Sequence, residues 1–357
     1  MPLQSDLLTW YDQHAADLPW RENHDPYRVW LSEIMLQQTQ VETVKPYFAR
    51  FMAAYPTVEA LAAASLSDVL KLWEGLGYYS RARNLHQAAQ SIVRDFNGHF
   101  PRTAEGLQKL PGIGRYTAGA IASIAFGEVA PVLDGNVIRV FARLTDLADD
   151  VTQPTVKDRL WKLAEEWLPA ERPGDHNQAL MELGRTICKP RNPLCKTCPI
   201  QIHCLAFANG TQAQRPVKKQ KAATPHYDVT AGIIWNDKGQ LLIAQRPLDG
   251  LLGGLWEFPG GKLEPGETLS ECLQRELFEE LAIEVEVGDL FTVVQHGFTH
   301  FKITLHAFTC RYRSGEPRAI GVRDWAWVKP ADLEKYSFGK ADREVIRALD
   351  ERKNMLF

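Results

Sequence analysis

Two carboxyl side chains carry the first suggestion of chemistry. Glu33, in the stretch SEIMLQQTQ (residues 32–40), shares a helical face with Val29 and Trp30 behind it and Leu36 and Gln37 ahead. Apolar neighbours withhold solvation from the ionised form, so such a carboxyl keeps its proton toward neutral pH and suits general-acid work. Asp134, in VLDGNVIRV, stands in an apolar context beside Gly135 and Asn136, a second carboxyl in different surroundings. Two carboxyls whose proton affinities are set apart can protonate a leaving group and stabilise an oxocarbenium ion.

Cys188, Cys195, Cys198 and Cys204 form C-x6-C-x2-C-x5-C, four of the six cysteines in the chain. A compact four-thiolate loop holds either a tetrahedral zinc or a [4Fe-4S] cluster, and sulfur ligands alone do not separate the two. The loop lies in a stretch, Gly184 to Tyr227, with no acidic residue but with Arg185, Lys189, Arg191, Lys196, Arg215, Lys218, Lys219 and Lys221. Such a stretch neutralises phosphates or forms a solvated linker. The net charge of -3 hides this local asymmetry. In LPGIGRYTA, Gly112 and Gly114 flank Ile113 between helical segments. Two glycines let the backbone turn sharply and present N–H groups to a phosphate, which positions DNA without reading its sequence.

The elements that must position these residues follow from periodicity. Through Ala208 the pattern is helical, with amphipathic runs at Arg28–Tyr55 and Leu66–Phe96. From Tyr227 the chain changes to strand-like runs, VTAGIIW, GQLLIAQR, VEVGDLFTVVQ, FKITLHAFTC and DWAWV, with one helix at Leu269–Leu281. A length of 357 residues agrees with two domains at a prior of roughly 150 residues each. We therefore expect an all-α domain at 1–210, a polar and basic linker at 211–226, and an α+β domain at 227–357. No apolar run is long enough to cross a bilayer and the N-terminal stretch lacks a secretory core, so a cytoplasmic, DNA-associated monomer is expected.

Taken together, SEIMLQQTQVETV, LPGIGRYTAGAIA, VLDGNVIRV, NQALMELG and the cysteine loop resemble the adenine DNA glycosylase (MutY) family of the endonuclease III-like helix-hairpin-helix superfamily. The resemblance implies a [4Fe-4S] cluster on the four cysteines and, as partner, double-stranded DNA carrying adenine opposite 8-oxoguanine or guanine. It also implies that Glu33 protonates the adenine leaving group, that Asp134 stabilises the sugar cation, and that Tyr116 and Asn136 support this centre. Related enzymes that also cut the strand have a lysine where this chain has Tyr116, so a monofunctional glycosylase is expected. Gln38 and Tyr78 match residues that fill the duplex when the adenine is flipped out, Gln178 and Arg21 match the edge of the adenine pocket, and Gly112, Ile113 and Gly114 match the hairpin that binds DNA.

The stretch GGKLEPGETLSECLQRELFEEL resembles the Nudix hydrolase signature, with Gly261, Glu267, Arg275, Glu276, Glu279 and Glu280 on its defined positions. Glu276, Glu279 and Glu280 each lie seven residues after Leu269, Cys272 and Leu273, so helical geometry places them on the core-facing stripe, converging on a divalent cation such as Mg2+. Hydrolysis of oxidised nucleoside triphosphates is the alternative activity this implies. In adenine DNA glycosylases the corresponding domain reads 8-oxoguanine, and Phe298, Thr299 and His300 of HGFTH match that reader, with threonine in place of serine. Ala282 stands where the signature has glycine.

Overall fold

In the computed structural model, which describes residues 2–219 and 224–354, the first two hundred residues are helical. The helices are α1 (Pro2–His14), α2 (Pro26–Leu36), α3 (Val41–Ala54), α4 (Val58–Ala63), α5 (Leu66–Trp73), α6 (Ser80–Phe96), α7 (Ala104–Leu107), α8 (Arg115–Phe126), α9 (Gly135–Leu144), α10 (Pro154–Glu166), α11 (Pro173–Thr186) and α12 (Leu205–Ala208). By contacts the chain forms two compact units, one of residues 1–64 and 84–221 and the other of residues 65–83 and 222–357. A single cut along the chain therefore misses α5 and the loop after it, which belong by contact with the second unit.

Local chemistry explains the helix starts that matter for the site. Asp25 caps α2 through the Tyr27 N–H, and Pro26 fills the first turn, where a missing N–H costs nothing. Asp134 caps α9 through the N–H groups of Asn136 and Val137. Within the first unit α11 packs on α1, α8 and α9, and α2 packs on α8. Their buried faces include Val137, Val140, Phe141, Leu180 and Leu183. The run expected at Arg28–Tyr55 breaks at residues 37–40, and the run at Leu66–Phe96 breaks at residues 74–79. Glycine signals the second break, with Gly75 at φ 92 and Gly77 at φ 75; no residue type announces the first.

The basic stretch is less free than a linker reading implies. Arg215 pairs with Asp146 at 2.9 Å, Val217 bridges Asp150, and the Gln212 and Arg215 carbonyls accept from Arg143. Lys218 and Lys219 are exposed, whereas Lys221 lies outside the described residues.

The second unit is a mixed sheet of β1 (His226–Trp235), β2 (Leu241–Gln245), β3 (Trp256–Glu257), β4 (Glu284–Gly297), β5 (Lys302–Ser314) and β6 (Asp324–Val328). The strand order is β3-β2-β1-β5-β4, with β6 on β2. β1 and β5 run parallel in register from His226↔Lys302 to Trp235↔Arg311. Alternate residues of β1 face opposite cores: Ala231 and Ile233 pack with Val345 and Ile346 of α14 (Lys340–Asn354), while Ile234 packs with Leu273 and Leu277 of α13 (Leu269–Leu281). Helices on both faces explain why these strands read as continuous apolar runs. The short β3 and the whole of α14 carry no sequence expectation above. Ala282 ends α13 in the left-handed region at φ 54, where the signature glycine would sit without strain.

Candidate active site

The four helices α2, α8, α9 and α11 enclose a pocket of about 780 Å³ that gathers Glu33, Tyr116, Asp134, Asn136, Arg21 and Gln178. Residues up to 157 positions apart in sequence, Arg21 and Gln178, thus line one wall system. Glu33 is 7 % exposed. Burial pushes its proton affinity up to about 7, against a hydrogen bond of 2.8 Å from the Tyr116 hydroxyl that favours the ionised form; the Asp134 charge pushes upward and Arg21 opposes it. Burial also raises Asp134, and three donors reduce that rise without reversing it: Val137 N–H at 2.7 Å, Asn136 Nδ2 at 2.8 Å and Asn136 N–H at 2.9 Å. The carboxyl without backbone donors is thus suited to carry a proton, and the one held by N–H groups is suited to remain an anion.

Asn136 is itself fixed. Arg139, buried on α9, donates to Asn136 Oδ1 at 2.9 Å, to the Gly184 carbonyl at 2.7 Å and to the Cys188 carbonyl at 2.7 Å. One guanidinium thereby ties the Asp134 support to the first cysteine of the loop. Sequence reading passed over this arginine, Met181 and Glu182, and named Arg185 only as part of the basic stretch. Gln178, Met181, Glu182 and Arg185 recur at three- and four-residue steps on α11, so one helical face lines the pocket. An acidic residue inside NQALMELG was the available signal for Glu182.

Gln38 and Tyr78 occupy the two helix breaks. Both take positive φ, 57 and 48, a conformation rare for residues with side chains and enriched where function demands a fixed turn. Both are exposed. In the hairpin, Gly112 has φ 72 and Gly114 caps α8 facing open space, while Ile113 is buried and serves packing rather than an outward contact. The free N–H groups at the start of α8 therefore point from an uncrowded surface. A β-carbon on Gly112 would lie 2.6 Å from that of Asn84. Gly112→Ala is expected to lose on the order of 1–2 kcal/mol from backbone strain alone, read as a fall of several degrees in the melting temperature; an unchanged melting curve would contradict the strained turn.

The cysteines follow α11 on two short 3-10 turns, Cys195–Thr197 and Gln201–His203, and the start of α12. Among the described residues no three His, Cys, Asp or Glu side chains are grouped as ligands of one ion. Donors do converge on the sulfurs: Arg143 reaches Cys188 Sγ at 3.2 Å, the Ile200 N–H reaches Cys198, and the Ala206 and Phe207 N–H groups reach Cys204. Hydrogen bonds to sulfur stabilise thiolate character, which is what iron ligands require.

In the second unit the expectation for the glutamate box fails in part. Glu276 is turned inward beneath Gly261, where a β-carbon would collide with its carboxyl, and Glu280 is largely buried, raised to about 7 by that burial and by the Glu276 charge. Glu279 instead points outward. At about 100° per residue it lies roughly 120° round the helix from Leu273 and about 160° from Leu277, and there Arg275 pairs with it at 3.2 Å. Arg275 also pairs with Glu267 at 2.8 Å and Glu276 at 3.1 Å, so one guanidinium holds three of the glutamates of the signature. The reader segment forms a turn closed by Phe298 N–H to the Phe301 carbonyl at 2.8 Å. Phe298 meets the His296 ring edge to face and the Phe301 ring at a tilt, with ring centroids 4.7 Å apart in each case, and Thr299 and His300 are exposed. Within the same unit the Tyr78 hydroxyl meets Thr299 Oγ1 at 2.6 Å, and both line a cavity of about 680 Å³.

Residues 31–166 match the HhH-GPD superfamily of base excision DNA repair proteins, and residues 230–348 match the NUDIX domain. The chain is 38% identical over 402 residues to the adenine DNA glycosylase of Rattus norvegicus, covering 98% of this chain and 78% of that protein. It is 41% identical over 407 residues to the adenine DNA glycosylase of Mus musculus, with the same coverage. The chain belongs to the adenine DNA glycosylase family. A solved structure of a thermostable thymine-DNA glycosylase is 30% identical, with a TM-score of 0.53 over 58% of this chain and 95% of that one. As an adenine DNA glycosylase the protein acts in base excision repair. Among the described residues no helix is long and apolar enough to cross a membrane.

Proposed function

We propose that this adenine DNA glycosylase hydrolyses the bond between adenine and its sugar where adenine lies opposite 8-oxoguanine or guanine, and that it does so without cutting the strand. The observation that carries the reading is the pair of carboxyls in one pocket, Glu33 raised by burial and Asp134 held by N–H donors. In this reading Arg21 and Gln178 meet the edge of the flipped adenine and Glu33 passes its proton to the leaving base. Asp134, supported by Asn136, faces the positive charge that grows on the sugar, and water completes the exchange. Tyr116 orients Glu33, and a phenol in this place offers no amine for a Schiff base, which supports hydrolysis alone.

The division of labour follows residues 1–210 for chemistry, 211–226 as connector and 227–357 for reading the opposite base. Gln38 and Tyr78 fill the gap left by the adenine, and Gly112 and Gly114 present backbone N–H groups to phosphate. Cys188, Cys195, Cys198 and Cys204 would hold a [4Fe-4S] cluster, a reading supported by their spacing and by the donors at their sulfurs. Bound there, the cluster supplies a rigid, multiply anchored loop beside exposed Lys189, Arg191 and Lys196.

Phe298, Thr299 and His300 read the base opposite. Guanine presents an acceptor at N7, whereas 8-oxoguanine presents a donor there; a hydroxyl whose own proton is held by a neighbour can only accept, and so favours 8-oxoguanine. The hydrogen bond between the Tyr78 and Thr299 hydroxyls supports this by linking the residue that fills the duplex to the one that reads it. Thr299→Val, which keeps the shape and removes the hydroxyl, is expected to lower the ratio of adenine-release rates from 8-oxoguanine and guanine mispairs by about tenfold, the value of one hydrogen bond. An unchanged ratio in single-turnover reactions rejects the reader assignment.

A further inference from the structure

A third carboxylate lines the pocket with Glu33 and Asp134. Glu182, on α11, is 3 % exposed. Its Oε2 accepts from Arg21 Nη2 at 3.2 Å, and its Oε1 accepts from Arg185. Arg21 also donates from Nη1 to the Ala16 carbonyl at 3.2 Å, and its guanidinium lies 5.7 Å from the Tyr11 ring centre. A guanidinium is planar, with donors in a fixed fork, so two anchored N–H groups decide where the others point. With an arginine on each oxygen, Glu182 is fitted to be a counter-charge and not a proton carrier.

We propose that Glu182 is a positioning residue for adenine release: it fixes the Arg21 guanidinium at the edge of the adenine pocket and offsets the two positive charges that would otherwise draw the proton from Glu33. The inference rests on the assignment of Glu33 as the acid. The charged and titratable groups that share the pocket with Glu33 are Tyr116 on α8, Asp134 at the head of α9, Arg21 on the turn Pro19–Arg21, Glu182 and Arg185 on α11, and at the exposed rim Glu42 on α3, which pairs with Lys45 at 2.9 Å. Neutralising Glu182 leaves Asp134 as the one buried carboxylate set against Arg21 and Arg185, since the exposed Glu42 is paired with Lys45, and this favours the ionised form of Glu33. A side chain present only to fill space would leave that balance untouched.

The test is the pH profile of adenine release in single turnover on a duplex with an adenine mispair, at saturating protein, between about pH 5 and 9. Glu182→Gln is expected to move the alkaline limb down by about one unit, a tenfold loss on that limb with little change on the acid side. Glu182→Asp keeps the charge and is expected to restore the limb even where its overall rate is lower. Removing one partner of a buried ion pair can unfold the protein, so Arg185→Gln provides a second reading that keeps the Glu182–Arg21 pair. It removes one positive charge and is expected to move the limb upward. A limb unmoved in Glu182→Gln, or unmoved in Arg185→Gln should the first variant not fold, overturns the proposal. If the parent has no alkaline limb that depends on Glu33, the assignment of the acid fails first and the proposal with it; a limb lost in Glu33→Gln but unmoved by the other two changes overturns the proposal alone.

Discussion

Glu33→Gln is expected to slow adenine release by about 10²–10⁴-fold, the range over which a positioned general acid acts. The amide has nearly the shape of the carboxyl and still accepts from the Tyr116 hydroxyl, so the pocket keeps its form while the transferable proton is lost. Because Glu33 is raised to about 7, the parent should lose activity as pH rises through that value, while the variant has no such limb. The stability effect has the opposite direction. A carboxyl whose folded-state proton affinity is raised from 4.5 to about 7 contributes fully below about pH 4.5 and loses that contribution as pH rises through 7. The loss is on the order of 3 kcal/mol. The amide that replaces Glu33 never ionises, so at about pH 8 the melting temperature of the variant should equal or exceed that of the parent. Single-turnover rates and melting curves measured together check this; a variant that is active at the parent rate sinks the acid assignment.

Asp134→Asn is expected to cost about 10²–10³-fold in the same assay, as for removal of one preorganised electrostatic group. Asp134 does two things, and the substitution separates them. Its Oδ1 caps α9 by accepting from the Asn136 and Val137 N–H groups, a role an asparagine oxygen retains. In the proposed mechanism its charge faces the sugar that becomes cationic, and that charge is lost. Alanine would remove the cap as well, at about 1 kcal/mol of stability, and would confuse the two effects. A folded Asp134→Asn protein with a rate within a few fold of the parent would show that Asp134 is a helix cap only.

How much of this was legible depends on whether a residue's role is local. Asp134 and the Leu269–Leu281 helix could be read because caps and apolar periodicity act over a few residues, and α13 begins and ends where the pattern indicates. The glutamate box shows the limit of periodicity. A seven-residue repeat drifts from a straight helix, and the neighbourhood of Arg275 decides that Glu276 turns inward while Glu279 turns to solvent. The four-residue break at Gln37–Gln40, with Gln38 at φ 57, has no glycine or proline to mark it and is held by packing on both sides.

The sequence by itself determined the kinds of groups present: two carboxyls in apolar runs, a four-cysteine loop in a basic stretch, a glycine hairpin and a Nudix-like box, with the helical and mixed halves that carry them. Only the tertiary structure decided which groups meet. It brought Glu33, Tyr116, Asp134 and Glu182 from four helices into one pocket, set Arg139 between Asn136 and Cys188, and joined Tyr78 to Thr299 across 221 positions of chain. The physical reason is that proton affinity and hydrogen-bond geometry depend on desolvation and on partners distant in sequence. Periodicity and spacing report only the neighbours a few residues away.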